Sequence, residues 1–282
     1  MMQVSRLSLE LSTLAGTLMM LGSAACSRVP SPLTPAVGSS IGLPFQGVLA
    51  ASLSLPPQGP GYALLRRPGR NFGTPAMISA IRFAAEEVDR QLPGSTLAVG
   101  DLSARQGGRI PGHKSHRTGR DADLLFYVTT LGGAPIDSPG FRVVGPDGLG
   151  QTPGRYGNLF FRFDLARNWL LIKALISAPS SEMLWIFVSR PLEALLIEYA
   201  LARGEDPVLL WQAECLMLQP KNALPHDDHF HIRVGCSPQD AVAGCEDGGP
   251  QWPWREPAPA LDGATEEASF NALLDLPTVP PL

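Results

Sequence analysis

The chain has five histidines, and all of them fall in two short clusters: His113 and His116 in mid-chain, then His226, His229 and His231 near the end. Scattered surface histidines do not gather in this way. Concentration of a scarce, ligand-type residue is what a metal site or a catalytic site produces. A fold that uses both clusters must lay two segments, distant in sequence, side by side. That demand constrains the chain more than any other feature it carries.

The first cluster is Gly112-His113-Lys114-Ser115-His116-Arg117-Thr118-Gly119-Arg120-Asp121-Ala122-Asp123. A loop bearing histidines runs into a strand bearing two aspartates. Asp121 and Asp123 are two apart, so on a strand both point to one face. Gly119 lets the backbone turn so that His116 and Asp123 converge. The second cluster is His226-Asp227-Asp228-His229-Phe230-His231. His229 and His231 share one strand face, while Phe230 and Ile232 take the other, toward the core. Side by side, the two strands bring His116, Asp123 and His231 around one point. Two imidazoles and a carboxylate form a three-ligand zinc set with a fourth position open to water, the mark of a catalytic site. Imidazole-rich sites favour Zn2+ over Mg2+ or Ca2+. His229 or His226, beside the metal, is then expected to move protons or hold an oxyanion. Asp121 is expected just outside the ligand set. An H-x-H pair alone is more often structural, and a D-x-D pair alone fits a Mg2+ or Ca2+ site or a solvated edge. It is the conjunction that points to zinc chemistry.

Composition sets outer limits. The 282 residues suffice for one domain of ordinary size with an export segment and a tail. Apolar residues make up 44%, enough for a core. A net charge of −4 with only 17% charged residues excludes the basic face that a nucleic-acid binder needs. The 28 prolines and 29 glycines imply many turns and an unstructured segment.

Residues 1–26 read as a signal peptide. Arg6 supplies a positive charge, an apolar run spans Leu11 to Leu21, and Gly22-Ser23-Ala24-Ala25 precede Cys26. The run is too short for an ordinary spanning helix. A cysteine after small residues marks a lipoprotein site, where Cys26 carries lipid, becomes the mature N-terminus and anchors the protein to the outer membrane. Ser23 stands where leucine is usual and Glu10 sits at the start of the run, so cleavage without lipidation is the alternative. Both routes export the protein to the periplasm, where disulfides form. Cys215, Cys236 and Cys245 allow three single bridges. The short loop with Pro238 and Gly244 favours Cys236–Cys245, leaving Cys215 free.

Residues 27–39, rich in Pro and Ser, read as a tether. Residues 40–247 read as the folded domain, and 248–282 as a Pro-rich, mostly disordered tail. Thr74-Pro75 starts a helix whose apolar face holds Met77, Ile78, Ile81, Ala85, Val88 and Leu92, and Pro93-Gly94 stops it. Strands are expected over 96–102, 121–128, 183–188 and 229–234. Asp164 caps a helix running to about Ala178, and Pro191 opens another that ends at Gly204. No repeat is evident. Helices and strands alternate without a steady βαβ rhythm, which predicts an α+β fold: a small, largely antiparallel central sheet flanked by helices in a single catalytic domain.

Further stretches accompany the two clusters in a specific order: Leu55-Pro56-Pro57-Gln58-Gly59, Gly61-Tyr62, Phe72-Gly73-Thr74-Pro75, Gly100-Asp101-Leu102-Ser103, Gly107-Gly108-Arg109, Ile186-Phe187-Val188, His229 through Val234, Cys236 and Cys245-Glu246-Asp247. With these, residues 40–247 resemble the penicillin-insensitive murein endopeptidases, within the wider group that includes D-Ala-D-Ala metallopeptidases and lysostaphin-type enzymes. The resemblance implies that His116, Asp123 and His231 hold one Zn2+ per chain. It implies that His113 lies just outside the first ligand, that His226 and His229 are the active-site histidines, and that Cys236 and Cys245 form a disulfide. The implied activity is hydrolysis of peptidoglycan cross-links between D-Ala and the D-centre of meso-diaminopimelate. Cys215 and residues 129–157 depart from the family pattern. Arg105, Arg109, Arg120 and Arg233 are candidates to meet acidic wall peptides, against the plainer reading of solvated surface. The site residues do not separate this endopeptidase from a D,D- or L,D-carboxypeptidase. A non-catalytic lipoprotein that binds zinc or peptidoglycan is the alternative outside the enzymes. Oligomeric state is not encoded in these features.

Overall fold

Alternation along two strands explains most of the architecture. In a computed structural model of the chain, which describes residues 40–66, 69–155, 157–179 and 182–255, the domain begins with the hairpin β1 (Ser40–Leu43) and β2 (Gln46–Leu49). Short strands β3 (Leu53–Ser54), β4 (Gln58–Gly59), β5 (Tyr62–Leu64) and β6 (Phe72–Gly73) lead into helix α1 (Pro75–Gln91). Thr74 caps α1 by accepting a hydrogen bond from the Met77 amide, and Pro75 occupies its first turn, where no N–H is needed. β7 (Leu97–Val99) and β8 (Asp121–Leu125) are joined by the long loop that carries His113 and His116. β9 (Val128–Thr130), β10 (Pro135–Ile136), β11 (Leu149–Gly154) and β12 (Gly157–Phe163) form a separate four-stranded sheet. Then come α2 (Leu165–Ser177), β13 (Met183–Phe187), α3 (Arg190–Ala202), α4 (Pro207–Leu216), β14 (Met217–Leu218), β15 (His229–Val234) and α5 (Pro238–Val242).

The main sheet has the order β14-β13-β15-β8-β7-β5-β4. Four of its six pairings are antiparallel, and β13·β14 and β5·β7 are parallel. The fold is α+β with a largely antiparallel sheet, as the sequence predicts. Ala122, Leu124, Phe230 and Ile232 are buried with the apolar faces of α1 and α2. By alternation Asp121, Asp123, His229 and His231 take the opposite face of the same two strands. Among the described residues no helix is long and apolar enough to cross a membrane.

Several boundaries differ from expectation. The run expected as one strand over 121–128 breaks after Leu125 and resumes as β9 in the other sheet. The strand expected over 96–102 is regular only at Leu97–Val99. The β11–β12 hairpin has no clear sequence signature, whereas α4 starts at Asp206-Pro207, the same kind of cap-and-proline pair that opens α1. Packing also extends beyond Asp247: Trp252 stands edge-on to Trp185 and stacks on Trp254, which meets Trp211. The expected signal peptide, Cys26, the tether and residues 256–282 lie outside the described residues.

Arg120 and Arg233 are not free to meet a ligand as expected. Arg120 is fully buried. Its Nε donates to Ser40 Oγ at 2.9 Å, and Nη2 donates to the Glu246 carbonyl at 2.7 Å. Its Nη1 lies 3.2 Å from Asp247 Oδ1. The guanidinium thus clamps the first strand and the segment after the Cys236–Cys245 disulfide against the start of β8. Arg233 is committed to Asp121. Removing one partner of a buried ion pair strands the rest of its network, so Arg120→Met is expected to cost about 3–5 kcal/mol. Chemical denaturation of purified protein checks this, and a loss under ~1 kcal/mol would show that the clamp is incidental.

Candidate metal centre

The β8·β15 register sets His231 directly opposite Asp123 and Arg233 opposite Asp121. His116 reaches the same point from the loop before β8. It adopts a left-handed backbone (φ 63°), unusual outside glycine and a mark of functional constraint. Gly119, at φ +74°, turns the chain behind it, where a Cβ would strike the Leu49 side chain at 2.7 Å.

Two imidazoles have their tautomers fixed from outside. His116 Nδ1 donates to the Leu102 carbonyl at 2.9 Å, leaving the Nε2 lone pair free. His231 Nε2 donates to Asp121 Oδ1 at 2.8 Å, leaving Nδ1 free. Those two free nitrogens face each other at 3.4 Å. Asp123 Oδ1 completes a triangle, 3.2 Å from His116 Nε2 and 3.4 Å from His231 Nδ1. Ligand atoms on a tetrahedral zinc, each about 2.0–2.1 Å from the ion, lie ~3.3 Å from one another. The triangle has that size. Both oxygens of Asp123 are buried without a hydrogen bond of good geometry, which is costly unless a cation completes the site. The donor set therefore fits a metal ion.

The surrounding charges reinforce this. Burial works against the Asp123 charge, yet the neighbouring imidazoles, His116 foremost, hold its carboxyl well below the usual range. Burial also opposes ionisation of Asp121, which Arg233 and His231 outweigh, again driving the pKa down. Asp121 Oδ1 accepts from Arg233 Nε at 2.8 Å, while Oδ2 lies 3.4 Å from the His116 amide. It thus holds both ligand histidines. For His231, burial pushes the pKa down, but hydrogen bonds to Asp121 and Asp123 raise it above the ordinary value.

Three residues surround the triangle. His229 Nδ1 is hydrogen-bonded to Asp228, and its Nε2 lies 3.4 Å from Asp123 Oδ1. Burial disfavours its charge, but Asp123 and Asp228 prevail and raise its pKa to about 9. His226 behaves oppositely: burial, with His231 and His229 beside it, lowers its pKa to about 4. Its Nδ1 is buried without a partner, while its backbone amide is held by Gln219. His113 Nε2 sits 2.9 Å from Asp101 Oδ2, and its Nδ1 is 3.8 Å from Asp123 Oδ2. All five histidines therefore meet at one site, with His113, His116 and Asp123 forming one close-set group and His226, His229 and His231 another.

The structure also brings in residues that sequence reasoning gave no role. Asp101 anchors His113. Asp228 anchors His229. Phe141 and Phe187 wall the site, Phe141 edge-on to His229 at 5.2 Å between ring centres and Phe187 at the same distance from His231. Asp101 and Phe187 lie in motifs quoted above and Asp228 in the second histidine cluster, so their segments were visible though their roles were not. Asp123 and His231 line an open cleft of about 470 Å3, while His116 is fully buried. The Cys236–Cys245 disulfide closes the loop after β15, with Cα atoms 5.9 Å apart, and Cys215 is free on α4.

With this geometry, known proteins put the chain among the peptidases. Residues 40–135 match the sequence model of the penicillin-insensitive murein endopeptidase family. A penicillin-insensitive murein endopeptidase of Haemophilus influenzae is 30% identical over 242 residues, covering 84% of this chain and 74% of that protein. Those of Klebsiella pneumoniae and Salmonella paratyphi C are each 28% identical, covering 76% of this chain and 72% and 71% of theirs. The chain belongs to the penicillin-insensitive murein endopeptidase family.

Two outcomes are expected. Asp121→Asn should weaken metal binding about 10–100-fold by loosening both ligand histidines, as read by competition with a chromogenic chelator; unchanged affinity would remove Asp121 from this role. In metal-free protein, His229 has its pKa raised from 6.5 to about 9. The stability this contributes is full below ~6.5 and disappears as pH rises through about 9. Denaturation midpoints of chelator-treated protein should fall across that window, and less steeply for Asp228→Asn. A flat parent profile would contradict the charged state of His229.

Proposed function

We propose that this protein is a zinc-dependent endopeptidase that hydrolyses the D-Ala–meso-diaminopimelate cross-links of peptidoglycan, with His116, Asp123 and His231 as metal ligands. The observation that carries the reading is the buried triangle of two nitrogen lone pairs and one carboxylate oxygen, sized for zinc and open to a cleft on one side. A zinc ion held there supplies a water acidified toward pH ~7 and a Lewis acid for the scissile carbonyl.

The protein's own groups do the rest. A cation beside Asp123 would offset the charge that, with Asp228, raises the His229 pKa. His229, its ring fixed by Asp228 through Nδ1, would then accept a proton from water at Nε2 and deliver it to the departing amine. His226, held neutral by burial, donates a hydrogen bond to the developing oxyanion without competing with the metal for charge. Asp121 and the Leu102 carbonyl keep the ligand imidazoles in the tautomers that bind metal. Phe141 and Phe187 exclude bulk water from one side of the site. No serine is acylated on this route, which agrees with penicillin insensitivity. The same reading sends the protein to the periplasm through residues 1–26, with lipid on Cys26 or simple cleavage as its two endings.

Mass spectrometry of cross-linked muropeptides is the test. Dimers should be converted to monomers, and a zinc chelator should stop the conversion. Loss of a terminal residue from monomers with dimers untouched would make the enzyme a carboxypeptidase instead. His116→Ala, Asp123→Ala and His231→Ala should each lose both zinc and activity. His229→Ala should keep zinc and lose about 10²–10⁴-fold in turnover; full activity in any ligand variant would refute the assignment.

A further inference from the structure

The cleft is lined by unlike groups. Pro220, Ala223, Leu224 and Pro225 are apolar, while Arg66 and Lys114 are cationic. Lys114 Nζ donates to the Asn222 carbonyl at 3.1 Å, a neutral partner. Arg66 is about half exposed, at 51%. Its Nη1 donates to Asp101 Oδ2 at 2.7 Å, but the same oxygen also accepts from Arg70 at 2.9 Å and meets His113 at 2.9 Å. Two guanidiniums therefore share one carboxylate, so Asp101 alone does not neutralise both. Arg66 also lies near the proposed reacting centre: its Cζ is 5.2 Å from the centre of the Phe141 ring, and that ring stands edge-on to His229. The planar guanidinium is the group best suited to a carboxylate beside an aromatic face.

We propose that Arg66 is a specificity-determining residue that binds a free carboxylate of the substrate, the one on the carbon bearing the scissile nitrogen. This deepens the function proposed above and rests on it. An amide made on the amino group of an amino acid leaves that residue's own carboxylate one carbon from the scissile nitrogen. On the acyl side the alanine offers only a methyl group, which suits the apolar lining. The cleft thus reads both flanks of the bond, with charge on the amine side and an apolar surface on the acyl side.

The experiment compares two cross-linked dimers that are identical except that this carboxylate is free in one and amidated in the other. The parent enzyme should prefer the free acid by about 10–100-fold in kcat/KM, the range expected for one charge-assisted contact. Arg66→Gln should collapse that ratio toward one, chiefly through KM on the free acid, and Arg66→Lys should restore part of it. Arg70→Gln removes the other guanidinium from Asp101 but does not line the cleft, so it should retain the ratio. Equal cleavage of both dimers by the parent would overturn the proposal, as would loss of the ratio in Arg70→Gln to the same degree as in Arg66→Gln. If the parent cuts neither dimer, the endopeptidase reading fails, and calorimetry with the amine-side peptide, acid against amide, decides Arg66 separately. Tighter binding of the acid, abolished by Arg66→Gln, upholds it, and equal binding overturns it.

Discussion

The cross-strand pairing of His231 with Asp123 is the constraint on which the rest of the site depends. It is set by register: a slip of one residue in β8 would turn Asp123, and one in β15 would turn His231, into the apolar layer against α1 and α2. Ala122, Leu124, Phe230 and Ile232 prevent that slip because their burial fixes which face looks inward. The hydrophobic core therefore specifies the candidate metal site. The same alternation that fills the core exposes, on the reverse face, a column of acids and imidazoles with nowhere to go except toward one another.

Three buried carboxylates stand in or beside the site, and their partners divide the labour among them. Asp101 has Arg66 and Arg70. Asp121 has Arg233. Asp123 has only imidazoles, two of which turn lone pairs toward it. Burying an anion without a fixed countercharge is unfavourable, so the absence of an arginine at Asp123 is informative. It is the one carboxylate of the three whose neutralising charge the fold leaves to be supplied. Asp101 and Asp121, already neutralised, act as rigid hydrogen-bond acceptors for His113 and His231.

Much of this was legible in the sequence, because two of the three proposed ligands, Asp123 and His231, sit on regular strands. The spacing of Asp121 from Asp123 and of His229 from His231 has the period of a strand, and period is a local property. Thr74-Pro75 announces α1 for the same reason. What escaped was non-local. Asp101 becomes the partner of His113 only because the chain after β7 runs alongside β8. Arg120 is a long cation in a polar run, which ordinarily means surface, yet it is buried by groups at residues 40, 246 and 247 that no local pattern connects to it. Trp252 lies in a Pro-rich stretch that reads as tail, and packing against Trp185 is a tertiary fact.

The site also shows a division between floor and walls. The groups that meet at the triangle are held by strands β8 and β15 or by a loop pinned to the Leu102 carbonyl, so their positions are set by the sheet. The walls come from loops: residues 111–115, residues 220–225, and Phe141 in the loop between β10 and β11. Loops can change length and side chain without disturbing a register, whereas a strand cannot. Chemistry is thereby placed where the fold resists change, and recognition where it permits change. Residues 129–157, expected from the sequence to match the family only loosely, fall on the permissive part, since that stretch supplies Phe141; the family match itself runs to residue 135. Through Phe141 it also touches both His229 and Arg66, so this segment adjoins the proposed proton carrier and the proposed substrate reader. Variation there can retune recognition while the register that builds the metal centre stays fixed.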